Sequence, residues 1–525
     1  MNNIVVVGGG TAGWLSAGYL AARHDVSVTL VESPDVASLG VGEGTWPSMR
    51  HTLQVIGIDE HTFIQECNVS LKQGSLFKKW VHGRDDDAYY HPFITPPAYG
   101  EYHLADAWHT LSGCKQAFAD FASVQASICD AGLAPKQIQT PAYAGVANYG
   151  YHLDAAKFAE LLKRHCIGTL GVRHISDHVL GVTTHNNGDI ASLLTAQSGD
   201  IDGSLFIDCT GMNSLLLHQH YKVAFKQQDH VLFNNRALAV HVPYSSDNQN
   251  IASATISTAQ SSGWIWNIGL QNRMGVGYTY SDKFNSELQA QDTLMQYIEE
   301  LAGRQQASQI ESRAIRFEPG YREKFWVNNC VAVGMSAGFF EPLEASAIAM
   351  IELSLTMISE NLPKNREHMD IISTRFNKRF TYRWERIVDF LKLHYVLSRR
   401  NEDYWLANRE ASSIPDSLQE LLELWKYQSP NRHDLIQNEE VFPSASYQYV
   451  LYGMGYGQFT HQANASTTST HASSVSATEY NSHAKLVMAE KVAQQVTAQK
   501  QQYLAALPSN RDYISYILSL QRSVA

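Results

Sequence analysis

Three glycines near the start of the chain have the spacing of a dinucleotide-binding loop. They are Gly8, Gly10 and Gly13. In such a loop the first glycine permits a tight turn, the second lets the backbone approach a pyrophosphate, and the third lets a helix pack close to a strand. Glu32 follows at the distance where a carboxylate binds a ribose hydroxyl. The spacing therefore predicts that this segment binds a dinucleotide.

The elements around these glycines are the ones that such a loop requires. Residues 4–7 are an apolar β-branched run, typical of a buried parallel strand, and an Ala- and Leu-rich helical stretch follows the glycines. A second strand, residues 26–31, ends at Glu32. The unpaired N–H groups at the helix start would face the phosphates. The pattern favours a Rossmann-like α/β domain; the alternative is a glycine-rich turn in another α/β fold.

Two later segments would bring the chain back to a bound cofactor. Residues 39–47 hold three glycines around Glu43 and predict a loop that lines the cofactor, although a plain surface loop is the alternative. An apolar strand at 205–209 runs into Asp208-Cys-Thr-Gly211. An apolar strand that ends in such a motif is a common place for a flavoprotein chain to return to its cofactor.

A predicted β-hairpin carries two tryptophans. It spans residues 263–280 and turns near Asn272. At the two-residue period of a strand, Trp264, Trp266 and Ile268 share one face. Two indoles on one face either fill a core or wall off a flat cofactor.

Further strands and one long helix are predicted in the middle of the chain. Strands are expected at residues 237–242, 251–256 and 326–334. A long apolar helix begins near Pro342 and ends at about Asn361. Its first turn, rich in small residues, is a second candidate anion site.

The remaining segments have weaker patterns. Residues 89–148 predict loops and short helices that cover a pocket, and we expect His91, His103 and His109 to be structural or solvated. Residues 463–477 are rich in Ser, Thr and Ala and predict a mobile loop or linker.

Composition excludes several classes of protein. The chain has 525 residues, of which 44% are apolar, enough for a large core. Its 40 Lys and Arg against 51 Asp and Glu give a net charge of −11, which argues against nucleic-acid binding. The six cysteines are far apart, so we expect reduced buried thiols in a cytoplasmic protein, with neither a metal site nor disulfides. We expect no secretion signal and no membrane span.

Together these motifs resemble those of flavin-dependent halogenases of the tryptophan halogenase family, which share the fold of the aromatic flavin monooxygenases. The resemblance spans most of the chain. Its specific elements are Lys72, Glu344 and the Trp264-x-Trp266-x-Ile268 strand. Motifs that also suit other FAD enzymes are the glycine loop with Glu32, Gly40-Val-Gly-Glu-Gly-Thr45, Tyr151-His-Leu-Asp154, Asp208-Cys-Thr-Gly211 and Gly338-Phe-Phe-Glu-Pro-Leu-Glu344.

The resemblance implies roles for individual residues. Lys72 and Glu344 would be catalytic. The residues that would bind FAD are Gly8, Gly10, Thr11, Ala12, Gly13, Glu32, Val41, Gly42, Glu43, Asp208, Gly334, Gly338 and Phe339. Those that would shield the flavin are Trp264 and Trp266, and those that would hold the halide are Ser346 and Ala347. The candidate substrate residues are Tyr447, Tyr449 and Tyr452.

The implied reaction uses FADH2, which a separate NADH-dependent flavin reductase supplies. With O2 and chloride or bromide it yields hypohalous acid, which passes through a closed channel to Lys72. An electron-rich aromatic ring is halogenated there, and Glu344 can remove the ring proton. Lys72 would act either as an ammonium group or as a haloamine. Because an unperturbed lysine is cationic at neutral pH, the haloamine route needs burial to favour the free amine.

The sequence also departs from the family pattern. Gly269 stands where the family usually has proline, and Ala345-Ser346-Ala347 stands where it often has Ser-Thr-Gly. The second departure could alter the preference between chloride and bromide. The alternatives are an aromatic hydroxylase and an FAD-binding protein without halogenase activity. The substrate stays open among tryptophan, other indoles, phenols, pyrroles and peptide-borne tryptophan, and the oligomeric state stays open, a homodimer included.

The resemblance also suggests a division of the chain. Residues 1–360 would form the FAD-binding domain, with substrate-covering segments inserted at about 50–190. Residues 361–525 would form a mainly helical substrate-binding region packed on that domain.

Overall fold

The computed structural model describes residues 3–36, 42–101, 104–113, 115–437, 439–456 and 477–522. Its helices are α1 Thr11–Arg23, α2 Met49–Ile56, α3 Glu60–Glu66, α4 Leu104–Ala107, α5 Phe118–Ala122, α6 Gln125–Asp130, α7 Ala155–Gly168, α8 Glu287–Ala302, α9 Arg304–Ala307, α10 Ser346–Glu360, α11 Arg366–Val396, α12 Asp403–Ala407, α13 Asp416–Leu424, α14 Ser444–Gly453, α15 Ala477–Ala506 and α16 Asn510–Arg522. Its strands are β1 Asn3–Val7, β2 Ser27–Glu32, β3 Gly42–Gly44, β4 Ser70–Lys72, β5 Gly74–Lys78, β6 Ala88–Pro92, β7 Gly150–Asp154, β8 Arg173–Ser176, β9 Val179–Thr184, β10 Ile190–Thr195, β11 Asp200–Asp202, β12 Leu205–Asp208, β13 Phe225–Gln227, β14 Arg236–Pro243, β15 Thr255–Ala259, β16 Trp264–Gly269, β17 Arg273–Tyr280, β18 Arg313–Arg316, β19 Gly320–Arg322, β20 Trp326–Val327, β21 Cys330–Ala332 and β22 Gly338–Phe339.

A six-stranded sheet carries the glycine loop. Its order is β20-β21-β12-β1-β2-β8, and β1 pairs in parallel with β12 on one side and β2 on the other. The apolar β-branched residues of β1 are buried because the strand is central and covered on both faces. Helix α1 packs against this sheet and against α7 and α10. The predicted Rossmann-like α/β fold is confirmed.

A seven-stranded sheet carries the tryptophan hairpin. Its order is β18-β14-β17-β16-β15-β5-β6. Strands β16 and β17 are antiparallel, and the Leu270 N–H donates to the Arg273 carbonyl across the predicted turn. Strand β5, which follows Lys72, pairs in parallel with β15. The hairpin and the Lys72 segment therefore belong to neighbouring parts of one sheet.

A small three-stranded sheet joins the second glycine loop to Lys72. Its order is β3-β7-β4. His152 on the central strand β7 lies opposite Gly44 on one side and Ser70 on the other. Both edge strands pair with β7. This pairing fixes the position of Gly44 relative to Lys72, which ends β4.

Two of the predicted strands are wrong in their bounds. Residues 326–334 form a short hairpin, β20 and β21, because Asn328 turns the chain with a φ of +52°. Residues 251–254 are not in a strand, and β15 begins at Thr255. The carbonyl of Ser253 instead accepts from the Gln73 N–H at 2.7 Å, so this stretch is used by loop contacts.

The C-terminal part is mainly helical, as predicted, and its last helix reaches back to β4. Asn510 of α16 is fully buried, and its side-chain Nδ2 donates to the Leu71 carbonyl at 3.0 Å. The division of the chain at residue 360 stays a prediction. The predicted loop at 463–477 lies outside the described residues except for Ala477.

The described cysteines are buried free thiols, as expected for reduced cysteines: Cys67, Cys129, Cys166, Cys209 and Cys330. Cys114 and His103 lie outside the described residues. None of the helices in the described ranges is both long enough and apolar enough to cross a bilayer.

Candidate active site

The first glycine loop has the shape that a pyrophosphate requires. Gly8 has a φ of +113°, and a Cβ there would lie 2.3 Å from the Cys209 carbonyl oxygen. A Cβ on Gly13 would lie 1.8 Å from the Gly8 carbonyl oxygen. A Cβ on Gly10 would meet no atom within 4 Å, and no side chain caps the start of α1 there. The loop is therefore closed on its inner side and open at the helix N-terminus, which fits a dinucleotide.

Glu32 lies beside this loop at the end of β2, as predicted. A Cβ on Gly9 would come within 1.5 Å of Glu32 Oε2, so the carboxylate packs directly against the loop. Its Oε1 accepts from Lys163 Nζ at 2.6 Å and from His174 Nε2 at 2.8 Å. These contacts hold the acid in place next to the glycines.

Two later segments return to the glycine loop, with different contributions. Gly334 has a φ of +77°, and a Cβ on it would lie 2.8 Å from the Ala12 Cβ, so this segment touches the first turn of α1. Asp208 is fully buried, and its Oδ2 accepts from the backbone N–H groups of Leu216 and Leu217 at 2.9 and 2.8 Å. The Asp208 side chain therefore orders the loop after β12, and the contribution of Asp208 to cofactor binding stays a prediction.

A cavity of about 210 Å³ extends from the Gly334 segment to Lys72 and Glu344. Much of its wall is apolar. It gathers many of the residues that the resemblance assigned to the flavin and the halide: Gly42, Glu43, Trp266, Gly334, Gly338, Phe339, Ser346 and Ala347. Val41 lies outside the described residues. One space therefore joins the predicted cofactor side to the predicted catalytic pair.

Trp266 faces this cavity and Trp264 does not line it. Trp266 lies opposite Gly277 on β17, where a Cβ would come within 2.0 Å of the indole. The Trp264 ring is 6.2 Å from the Trp266 ring, centroid to centroid, and its Nε1 donates to Glu341 Oε2 at 2.7 Å. Trp264 therefore supports its neighbour from within the core, and shielding of the flavin by the two tryptophans stays a prediction.

Lys72 ends β4 with only 1% of its surface exposed. Its Nζ lies 5.2 Å from the centre of the Phe93 ring. Gly44 leaves room for the ammonium, because a Cβ there would lie 3.0 Å from Nζ. Burial lowers the pKa of Lys72 to about 8, and the Glu344 carboxylate opposes that shift. No hydrogen bond or ion pair engages Nζ within the described part of the chain, so the group is free to meet a small molecule in the cavity.

Three side chains contact the Glu344 carboxylate, two from strands β5 and β6 and one from helix α11. Its Oε1 accepts from His91 Nδ1 at 2.8 Å and lies 3.5 Å from His394 Nε2, and its Oε2 accepts from Ser75 Oγ at 3.2 Å. Burial would raise the pKa of Glu344, but the two imidazoles outweigh it and hold that pKa below its usual range. The carboxylate is therefore anionic. It does not form an ion pair with Lys72 in the described structure, although both line the same cavity.

A second pocket, of about 190 Å³, adjoins Glu344. Its lining is rich in aromatic side chains and includes Trp46, His91, Phe93, Phe442 and Tyr449. The Trp46 indole donates to the backbone carbonyl of Glu344 at 2.8 Å. A flat aromatic ring in this pocket would lie between these walls and next to Glu344, and one of the walls, Phe93, has its ring centre 5.2 Å from Lys72 Nζ.

The three candidate substrate tyrosines lie on α14, and the structure separates them. Tyr449 lines the aromatic pocket. Tyr447 points elsewhere and packs on Trp425, with ring centroids 5.1 Å apart. Tyr452 packs on Trp108 at 5.6 Å. Tyr447 and Tyr452 do not line this pocket, because these helical positions face different sides, and the role of the three tyrosines in substrate binding stays a prediction.

The predicted halide site lies at the start of α10. Ala345 precedes the helix and offers no side-chain cap, so the first N–H groups of α10 have no helical partner. Ser346 and Ala347 both line the cavity. The backbone donors therefore stand where a halide would be needed, and halide binding itself stays a prediction.

Comparison with known proteins agrees with this geometry. The model of a family described as "Tryptophan halogenase" matches residues 3–470. The chain belongs to the tryptophan halogenase family. The sequence identification as a flavin-dependent halogenase is confirmed.

Individual members of the tryptophan halogenase family are similar over most of their length. The tryptophan 6-halogenase SttH of Streptomyces toxytricini is 33% identical over 86% of this chain and 89% of that protein. The tryptophan 7-halogenase RebH of Lentzea aerocolonigenes is 32% identical over 81% of this chain and 82% of that protein. A crystal structure of a tryptophan halogenase from Shewanella frigidimarina is 46% identical, with a TM-score of 0.91 over 99% of this chain and 98% of that one.

The structure gives a local reason for the first departure from the tryptophan halogenase pattern and none for the second. A Cβ on Gly269 would lie 3.0 Å from Ile251 and 3.1 Å from the Tyr244 hydroxyl, so the site is crowded for a larger residue. Glu344 and Ala345 both adopt left-handed φ values, +63° and +54°. A left-handed conformation costs roughly 1–2 kcal/mol for a non-glycine residue, so the surrounding contacts must hold this bend. The bend separates Glu344 from α10, which corrects the expectation that its segment simply starts the helix.

Sequence reasoning missed the role of His91. We expected a structural or solvated histidine, but the side chain is buried and donates to the candidate catalytic acid. Strands β5 and β6 are antiparallel, and His91 lies directly opposite Ser75, the other donor to Glu344. A hairpin prediction for residues 74–92 would have placed His91 near Lys72.

Proposed function

We propose that this chain is an FADH2-dependent halogenase that uses O2 and chloride or bromide to form hypohalous acid, which Lys72 presents to an electron-rich aromatic ring. The observation that carries the proposal is the position of Lys72. It lies in the cavity that begins on the cofactor side and next to the aromatic pocket that adjoins Glu344. Hypohalous acid released on the cofactor side could therefore reach Lys72 without leaving this cavity.

Bound reduced FAD would supply the electrons that activate O2 for oxidation of the halide. The residues that would hold the cofactor are those of the glycine loop, Glu32 and the Gly334 segment. The first N–H groups of α10 would hold the halide beside it, since they lack helical partners. Trp266 and the other apolar walls would exclude bulk water and separate the flavin from the aromatic substrate.

Lys72 would orient the oxidant through its ammonium group. With a pKa of about 8 the side chain is mostly protonated at neutral pH, and an ammonium can donate a hydrogen bond to the oxygen of hypohalous acid. The same pKa leaves a minor fraction of free amine, so the haloamine route stays open. The absence of another partner for Nζ in the described chain favours either role over a structural one.

Glu344 would remove the proton from the halogenated ring. The carboxylate is anionic and faces both the cavity and the aromatic pocket. His91 donates to it and thereby keeps it oriented, while its second oxygen accepts from Ser75. A positioned carboxylate can also stabilise the positive charge that develops on the ring.

The substrate would be a small aromatic molecule or a peptide-borne tryptophan. The aromatic pocket has the flat walls and the adjacent carboxylate that an indole needs, and the related enzymes SttH and RebH are named for action on tryptophan. A separate NADH-dependent reductase would deliver FADH2. The buried free thiols suit a reducing, cytoplasmic setting.

A mass-spectrometric screen tests the proposal. The chain is mixed with a flavin reductase, FAD, NADH and bromide and offered tryptophan, other indoles, phenols and tryptophan peptides. We expect a product with the bromine isotope pattern, and its loss in Lys72→Ala. Lys78→Ala is the matched control, because Lys78 is exposed on the next strand. An oxygenated product that survives in Lys72→Ala would indicate a hydroxylase, and FAD binding without hypobromous acid would indicate an inactive flavoprotein.

A further inference from the structure

A surface groove between α10 and α11 gathers basic side chains at a distance from the catalytic pair. Its volume is about 490 Å³. The basic residues that line it are all on α11: Arg375, Lys378, Arg379 and Arg383. Arg375, Arg379 and Arg383 are four residues apart and Lys378 is three residues after Arg375, so the four share one side of the helix. We call this the α10–α11 groove.

The side chains that line the α10–α11 groove carry a net positive charge. Glu360 and Glu439 are the acids that line it, so four cations against two carboxylates leave a net charge of +2. No ion pair or hydrogen bond joins any of the four cations to another residue of the described ranges. Like charges at this spacing on a helix repel one another. The concentration of positive charge stands out in a chain whose net charge is −11.

Arg383 is the strongest sign that a ligand belongs there. Only 3% of the residue is exposed, and its Nε and Nη1 have no hydrogen-bond partner among the described residues. Its guanidinium lies 5.0 Å from the Phe380 ring, a contact that leaves the N–H groups unbonded. Buried N–H donors of a charged group that form no hydrogen bond destabilise the fold. An anion in the groove would accept hydrogen bonds from them.

The other residues that line the α10–α11 groove indicate what kind of ligand would fit. Helix α10 contributes the apolar side chains of Leu353 and Met357 and the hydroxyl of Thr356. The volume is within the range of small-molecule sites. Guanidinium forks match the oxygens of phosphate, to which they donate two parallel hydrogen bonds. Three exposed cations at the rim, one buried guanidinium and two partly buried apolar side chains therefore suit a phosphate group carried on a small organic molecule.

We propose that the α10–α11 groove is a binding site for a phosphate-bearing small molecule, with Arg383 and Arg379 donating to the phosphate. The proposal does not rest on the halogenase reaction. The flavin cradle at Gly8–Gly13 is a separate anion site on the other side of α10, whose residues Met350 and Ser354 line the cavity. An acidic peptide is the competing occupant.

Calorimetric titration of the full chain tests this site. FAD is present at saturation, so that its own cradle is filled. The probes are inorganic phosphate, pyrophosphate, AMP and a tri-glutamate peptide, each titrated into the native chain, Arg383→Gln and Arg379→Gln. Because Arg383 is buried and its substitution can disturb folding, Arg379→Gln on the exposed rim gives the second reading. Arg304→Gln is the matched control, since that side chain is 88% exposed.

We expect saturable binding of AMP and pyrophosphate, weakened roughly tenfold or more in each groove variant and unchanged in Arg304→Gln. Tighter binding of AMP than of phosphate would assign Leu353 and Met357 to the organic part, and equal binding would indicate free phosphate as the ligand. No saturable binding of any phosphate compound overturns the proposal. So does equal affinity in all variants, or Arg-dependent binding of the peptide alone.

Discussion

Replacement of Glu344 by glutamine separates two roles of that carboxylate. Glutamine keeps the volume of the side chain and a carbonyl oxygen that can accept from His91. It removes the negative charge and the capacity to take a proton. Glu344 both faces the aromatic pocket and raises the pKa of Lys72. The substitution therefore affects the ring proton and the charge of the lysine together.

The two effects differ in size. A lysine with a pKa of about 8 is roughly 90% protonated at pH 7, and a fall of one unit in that pKa would leave roughly half of it protonated. Through Lys72 the change is therefore about twofold. Loss of a positioned general base costs about 10²- to 10⁴-fold in rate. We expect the rate of halogenated product to fall at least about a hundredfold in Glu344→Gln.

The assay measures two steps separately. Brominated product is followed by mass spectrometry with reductase, NADH, FAD, bromide and aromatic substrate present. Hypobromous acid is followed with a chemical trap when the aromatic substrate is left out. We expect the second rate to stay near that of the native chain. Glu367→Gln is the control, because Glu367 is exposed at the start of α11.

Two results would refute this reasoning. A loss of only about twofold would mean that Glu344 acts through the charge of Lys72 and removes no proton. An equal fall in hypobromous acid and in product would mean that the carboxylate mainly shapes the cavity. Either outcome would assign removal of the ring proton to another group, and His91 is the nearest titratable candidate.

Three further predictions concern pH, cofactor binding and stability. Because the pKa of Lys72 is lowered to about 8, we expect halogenation measured against pH to fall as pH rises through about 8, where the ammonium is lost; a rate that rises there would favour the haloamine. Gly13→Ala would place a Cβ 1.8 Å from a carbonyl oxygen of the same loop, so fluorescence titration should show FAD affinity weakened by about tenfold or more, and unchanged affinity would contradict the cradle. Lys136→Met would remove the only cation within 4 Å of the fully buried Glu60 carboxylate among the described residues, 2.9 Å away, and leave it with hydrogen bonds from Tyr143, Tyr149 and Tyr151 alone; it should lower the free energy of unfolding by about 3–5 kcal/mol in urea. Lys79→Met, at a partly exposed ion pair, should lower the free energy of unfolding by less than about 1 kcal/mol. An equal loss of stability in the two variants would show that burial of the ion pair does not set the size of the effect.

Much of the fold follows from local patterns. The glycine loop, its flanking strand and helix, and the tryptophan hairpin all stand where the sequence predicts them. These features depend on residues a few positions apart, whose spacing sets turn geometry and strand faces. The strand predicted at 326–334 is wrong because Asn328 turns the chain within it. The apolar run around Asn328 gives no sign of that turn.

The candidate site is different, because distant segments build it. The resemblance supplied Lys72 and Glu344, but only the fold brings His91 to Glu344 across 253 positions of the chain. Likewise, sequence periodicity places the two tryptophans on one face, and only packing decides that Trp266 faces the cavity.

By itself the sequence determined the dinucleotide loop, the α/β class and, through its family motifs, the halogenase identity and the candidates for the catalytic pair. Only the tertiary structure decided that Tyr449 lines the pocket rather than Tyr447, and that Arg383 is buried without a partner among the described residues. The reason is physical. The local conformation of the backbone is governed by neighbouring residues. The burial of a side chain, its pKa and its hydrogen-bond partners depend on contacts between segments that are far apart in the chain.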